Sequence, residues 1–90
     1  MSKKVIKFGA NWCSPCRAYA PIWEAVSKEE KYTDWEWQAV DVDTDPVNSE
    51  KYGITSIPVT VIEIDGHEVE RKKGMLNKPD LKKLIDRHNN

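Results

Sequence analysis

Two cysteines separated by two residues, Cys13 and Cys16, stand in the run Trp12-Cys13-Ser14-Pro15-Cys16 and are the only cysteines of the chain. A stretch from Lys3 to Phe8 precedes them, and an amphipathic run from Pro15 to about Glu29 follows. That order puts Cys13 at the mouth of a helix, where unpaired backbone N–H groups and the helix dipole favour an anion. A thiolate is such an anion, so the Cys13 thiol is expected to ionise below the free value of about 8.5. Cys16, one turn further in, has its backbone tied into the helix and is expected to be the more sheltered. An exposed attacking thiol with a sheltered resolving partner is what dithiol–disulfide exchange requires.

Other uses of the pair fit less well. A structural disulfide across two residues closes a tiny loop and constrains the unfolded chain little. A structural zinc site needs four ligands. His67 and His88 lie far off in unrelated contexts, and no second cysteine pair is present to join them. Two inert core cysteines would not call for a proline-bearing turn at a helix start.

The neighbouring elements have to hold that turn in place. Val5, Ile6 and Phe8 read as a short strand with Lys7 inside it. Gly9-Ala10-Asn11 then delivers Trp12 and the cysteines to the strand's C-terminal end, where open α/β sheets place their chemistry. Cys16, Tyr19, Ala20, Trp23 and Val26 recur at helical spacing. Pro21 removes one N–H from that helix and is expected to kink rather than end it. Lys28 to Asp34 reads as a solvated connection. A second strand is expected over 35–42, with Trp37, Ala39 and Val40 facing neighbouring layers and Trp35 sharing a face with Trp37. Asp41, Asp43 and Asp45 alternate, but the glycine turn and distal glutamate of a calcium loop are missing. They read as strand-end and capping residues, Asp45 preceding Pro46 at the start of a short helix that Tyr52-Gly53 ends.

Val59 to Ile64 is apolar and β-branched, as a central strand would be. Asp65-Gly66 signals a hairpin, and the charged return from His67 to Lys73 suits a sheet edge. Asn77 caps a last helix, with Leu81, Leu84, Ile85 and His88 expected inward. The predicted order is β-α-β-α-β-β-α, an α/β fold. Three strands are joined by crossovers and one is an antiparallel hairpin partner, giving a central four-stranded mixed sheet flanked by helices.

Ninety residues suit a single domain over 1–90 with a modest core. A formal net charge of −1 gives no basic field, which argues against nucleic acid or an anionic membrane as partner. No apolar stretch approaches the roughly 20 residues of a membrane span. Two close cysteines fit a reducing compartment in which their disulfide is transient. Met1-Ser2-Lys3-Lys4 has the charge of a signal peptide, but Lys7 breaks the apolar run behind it, so no cleavable segment is expected. The chain therefore reads as a cytoplasmic monomer.

Trp12-Cys13-Ser14-Pro15-Cys16 resembles the Trp-Cys-Gly-Pro-Cys motif of the thioredoxin family, with Ser14 in place of the glycine. The likeness continues through Arg17-Ala18-Tyr19-Ala20-Pro21, Asp41-Val42-Asp43, Lys51-Tyr52-Gly53-Ile54, Ser56-Ile57-Pro58 and Gly74. It follows the family's order and spacing over nearly the whole chain. The resemblance implies a minimal thioredoxin fold; longer members carry an extra N-terminal strand and helix without counterpart in this sequence. It implies that Cys13 attacks a substrate disulfide and that Cys16 resolves the mixed disulfide. Trp12, Ser14, Pro15, Ile57, Pro58 and Gly74 would form the substrate-binding surface, with the Ile57-Pro58 bond cis. No cofactor or metal of its own is implied. An NADPH-dependent thioredoxin reductase would supply electrons, and disulfide-containing proteins, ribonucleotide reductase among the candidates, would receive them.

The sequence also departs from that family. Lys7 stands where a buried aspartate helps deprotonate the resolving cysteine, Gly9 replaces a tryptophan, and Ala39 replaces a lysine that pairs with the acid. Lys7 either snorkels, with its charge in water and its stem in the core, or keeps its ammonium near the thiols and tunes their pKa. A glutaredoxin-like reductase fits less well, because that family uses a Thr-Val-Pro segment and a paired glycine before the last helix. This chain has Ser56-Ile57-Pro58 and Gly74-Met75 there. A binding module, or a subunit steadying a larger enzyme without turning over, is the alternative of another class; intact Cys13 and Cys16 argue against it as the sole role.

Overall fold

A computed structural model describes residues 2–89. Its elements run β1 (Lys3–Gly9), α1 (Ser14–Ser27), a 3-10 turn (Glu30–Tyr32), β2 (Glu36–Asp41), α2 (Pro46–Lys51), β3 (Val59–Ile64), β4 (His67–Lys73) and α3 (Lys78–Asp86). The strands form one four-stranded mixed sheet, as expected from the sequence, with the order β2-β1-β3-β4. Alternation along β1 divides the core. Val5 joins Tyr19, Trp23 and Val26 of α1 and Leu81, Leu84 and Ile85 of α3 on one face. Ile6 and Phe8 join Val40, Val59 and Val61 on the other, with Tyr52 and Ile54 packed against them.

β1 and β2 are parallel, with Lys7 opposite Ala39. β3 runs antiparallel to β1, with Thr60 on the other side of Lys7, and antiparallel to β4. The sheet thus holds one parallel pair, fewer than three crossover-linked strands would give. The cause is the length of α2. Six residues make a helix of about 9 Å, too short to carry the chain back along a six-residue strand of roughly 20 Å. β3 therefore starts from the end of the sheet where β2 stopped.

α1 begins with Pro15 in its first turn and continues through Pro21 to Ser27, burying Cys16, Tyr19, Trp23 and Val26. Three expectations on packing need correction. Tyr32, inside the presumed solvated connection, is buried, and its hydroxyl donates to Asp86 at 2.9 Å. Ala39 is exposed rather than layered, because β2 is an edge strand and α1 does not cover it there. His88 lies just beyond α3 rather than in its apolar stripe, with Nε2 2.8 Å from a Glu70 carboxylate oxygen, and Arg87 binds the same carboxylate. Among the described residues, no helix is long and apolar enough to cross a membrane.

Candidate active site

Cys13 is the N-cap of α1, with φ −90° and ψ 111°, and its sulfur accepts the Cys16 backbone N–H at 3.2 Å. The donor that would otherwise be left unpaired at the helix start is thus aimed at sulfur. Cys13 and Cys16 are joined in a disulfide with Cα atoms 5.2 Å apart. The turn is braced on both sides. Cys13 N–H donates to the Ala10 carbonyl at 3.2 Å and Arg17 N–H to the Cys13 carbonyl at 3.0 Å. The Arg17 guanidinium donates to the Asn11 carbonyl at 2.8 Å and to Ser14 Oγ at 3.0 Å, so a positive charge stands over the loop.

Both cysteines are 6% exposed, which corrects the picture of an open Cys13 beside a buried Cys16. Cys13 is covered because its side chain turns back from the cap into a small apolar cluster with Ala10, against which Val42 and Ile57 pack. Its sulfur lies 4.0 Å from the Ile57 carbonyl oxygen. Cys16 is covered from the sheet side. A Cβ at Gly9 would come within 3.3 Å of both Cβ and Sγ of Cys16, so the bare glycine makes room for this sulfur.

The Ile57-Pro58 bond is cis, as the resemblance implied. Pro58 is buried and Ile57 half-buried. Gly74, at φ +90°, donates its N–H to the Pro58 carbonyl at 2.8 Å. A side chain rarely adopts that backbone conformation, so this turn, which ties the end of β4 to Pro58, suits glycine. Contacts therefore run continuously from Cys13 through Ile57 and Pro58 to Gly74. Ser14 and Pro15 lie exposed in the first turn of α1. Trp12 is 67% exposed, and its indole N–H donates to Asp43 Oδ2 at 2.8 Å.

Asp43 is the residue of this site that sequence reasoning missed; it read as a strand-end residue. The available signal was its place just past β2, at the end of the sheet where Trp12 lies. The other alternating acids are engaged locally. Asp41 accepts from the Asp43 N–H at 2.9 Å, and Asp45 caps α2 by accepting from the Asn48 N–H at 3.1 Å. Hydrogen bonds from the Asn48 side chain and backbone hold the Asp45 carboxyl below its ordinary pKa. No group of three or more potential metal ligands occurs among the described residues.

Lys7 answers to neither simple alternative. It is half-buried, with Nζ 4.8 Å from the centroid of the Trp23 ring. Burial pushes its pKa below the ordinary lysine value, and the nearby Glu24 carboxylate opposes that shift. It also lines a cleft of about 240 Å³ together with Gly9, Cys16, Arg17, Ala39 and Asp41.

A family model described as Thioredoxin matches residues 1–87. The thioredoxin of Chlamydia muridarum is 38% identical over 84 residues, spanning 93% of this chain and 80% of that protein. The thioredoxin of Mycoplasmoides gallisepticum is 40% identical over 83 residues, spanning 92% and 81%. The X-ray structure of Fasciola hepatica thioredoxin has a TM-score of 0.88 and 39% identity, covering 97% of this chain and 81% of that one.

Proposed function

From the premise that the chain belongs to the thioredoxin family and is a thiol-disulfide oxidoreductase, we propose that Cys13 is its attacking thiol and Cys16 its resolving thiol. The observation that carries this assignment is the Cys16 N–H aimed at the Cys13 sulfur from the first turn of α1. When the disulfide is reduced, that donor and the helix dipole favour a thiolate on Cys13. The thiolate attacks one sulfur of R–S–S–R′, forming Cys13–S–S–R and releasing R′–S⁻, which takes up a proton. Cys16 then loses its proton and attacks the Cys13 sulfur. The intramolecular disulfide forms, R–S⁻ leaves and is protonated, and two electrons have passed to the substrate.

Family membership implies disulfide substrates and a reductase as electron source. The finer reading is that an NADPH-dependent thioredoxin reductase regenerates the dithiol and that ribonucleotide reductase is one of the protein acceptors. Trp12, Ser14, Pro15, Ile57, Pro58 and Gly74 are read as the docking surface; the Ile57 carbonyl beside Cys13 supports that reading, as does the exposure of Trp12. The reading further takes residues 1–90 as one domain, working as a cytoplasmic monomer. The test is reduction of a protein disulfide. Cys13→Ser is expected to abolish it, and Cys16→Ser to stop after one step with substrate covalently bound. Wild-type turnover in Cys13→Ser would overturn the assignment and leave a binding module in its place.

A further inference from the structure

The cleft beneath the disulfide holds a charged side chain that the exchange reaction described above does not use. Gly9 lies directly under the Cys16 sulfur. Lys7, two residues earlier on β1, projects from the same face, about 6.6 Å away along the strand. Its neighbours in the sheet leave that space open. Ala39 is short and exposed, and the Thr60 hydroxyl is engaged with the Tyr19 hydroxyl at 2.7 Å. Lys7 and Cys16 line one cleft of about 240 Å³, and Cys13 does not line it.

We propose that Lys7 is a positioning residue for the resolving thiol: its ammonium, carried on a flexible stem in the cleft, supplies the positive charge that favours the Cys16 thiolate once the disulfide has opened. In that step the Cys16 S–H gives its proton to solvent, the sulfur keeps the electron pair, and the ammonium is unchanged. The inference rests on the assignment of Cys16 as resolving thiol. In the oxidised chain the ammonium rests over the Trp23 ring, 4.8 Å from its centroid, on a four-carbon stem in the cleft that Cys16 also lines. The charged groups facing it are Glu24 and Arg17 from α1 and Asp41 from β2, with neutral Thr60 on β3. Glu24 lies near the ammonium but pairs with Lys28 at 3.2 Å, and Arg17 is committed to Asn11 and Ser14. A half-buried charge is screened less by salt than an exposed one, and Lys7 shares its cleft with Cys16.

A thiolate exists only in the reduced form, so a charge that stabilises it raises the reduction potential and weakens the protein as a reductant. The experiment compares wild type, Lys7→Met and Lys7→Arg in two measurements. One is the redox equilibrium of the full chain with glutathione; the other is thiolate absorbance against pH in a Cys13→Ser background, which reads Cys16 alone. Lys7→Met keeps the stem and removes the charge. It is expected to move the equilibrium about tenfold toward the disulfide, which is about 30 mV for two electrons, and to raise the Cys16 pKa. Lys7→Arg is expected to retain both wild-type values. Unchanged potential and Cys16 ionisation in folded Lys7→Met overturn the inference, as does a Lys7→Arg shift as large as that of Lys7→Met. Lys7→Gln carries the same expectations where Lys7→Met does not fold. Failure here is distinguishable from failure of the proposed function: turnover surviving in Cys13→Ser removes the thiol assignment itself, whereas lost turnover with unmoved Lys7 variants removes only the role of Lys7.

Discussion

Cys13 and Cys16 are equally covered yet differently placed. Cys13 meets a helix N-terminus and the Ile57 carbonyl, while Cys16 faces bare backbone at Gly9 and the cleft of Lys7. The first half of that description was legible in the chain, because an N-cap is decided by residues three apart. Asp43 as partner of Trp12, and Tyr32 as partner of Asp86, were not legible. Each joins side chains 31 and 54 positions apart, which local pattern does not connect. The same holds for the buried pair Tyr19 and Thr60, whose hydroxyls lie 2.7 Å apart across 41 positions. Neither residue is exposed at all, so removing one hydroxyl leaves the other without water as a substitute. Tyr19→Phe and Thr60→Val are each expected to cost about 1–3 kcal/mol. The double variant is expected to cost clearly less than their sum, because no orphaned donor is left. Denaturant unfolding of the four proteins measures the coupling; strict additivity would count against the bond as an energetic unit.

At the scale of elements, helical periodicity marked α1 and α3, while cap and turn residues marked α2 and β4 and a continuous β-branched run marked β3. What these signals left out depended on neighbours. Tyr32 is a lone aromatic in a charged run, buried because it joins the cluster formed by α1, Trp35 and α3. The direction of β3 belongs to the connection before it, and Ala39 is uncovered where edge strand β2 borders the open cleft. Caps, by contrast, were local and legible. Asn77 accepts the Asp80 N–H at 2.9 Å and sits at the exposed start of α3, whose Leu81, Leu84 and Ile85 fill the core beneath. Asn77→Ala is expected to cost about 1 kcal/mol, and Asn77→Asp or Asn77→Ser to cost little, because those side chains cap as well. Urea midpoints test this, and a loss shared equally by all three variants would point to something other than the cap.

The molecule as a whole is tied together by its three tyrosines. Tyr19 links α1 to Thr60 of β3, Tyr32 links the 3-10 turn to Asp86 of α3, and Tyr52, just past α2, donates to Glu63 of β3. Each is pushed from the ordinary value of 10.0 up to about 12, burial being the largest cause in every case. The carboxylates of Asp86 and Glu63 add to the rise at Tyr32 and Tyr52, while the Thr60 hydrogen bond works against it at Tyr19. A raised folded-state pKa means the native chain keeps phenolic protons that the unfolded chain has already lost. Stability from these groups is therefore complete below pH 10 and falls as pH rises toward about 12. Ionising any one of them also breaks a bond between two elements, so the expectation is a single event. Tyrosinate absorbance and loss of far-ultraviolet circular dichroism should rise together in that window, with no tyrosine titrating ahead of unfolding. Tyr19→Phe removes one of the three protons from the linkage and should make the alkaline fall shallower, even though the variant is less stable at neutral pH. Three tyrosines ionising near pH 10 with the circular dichroism intact would show that their hydroxyls do not hold the elements together.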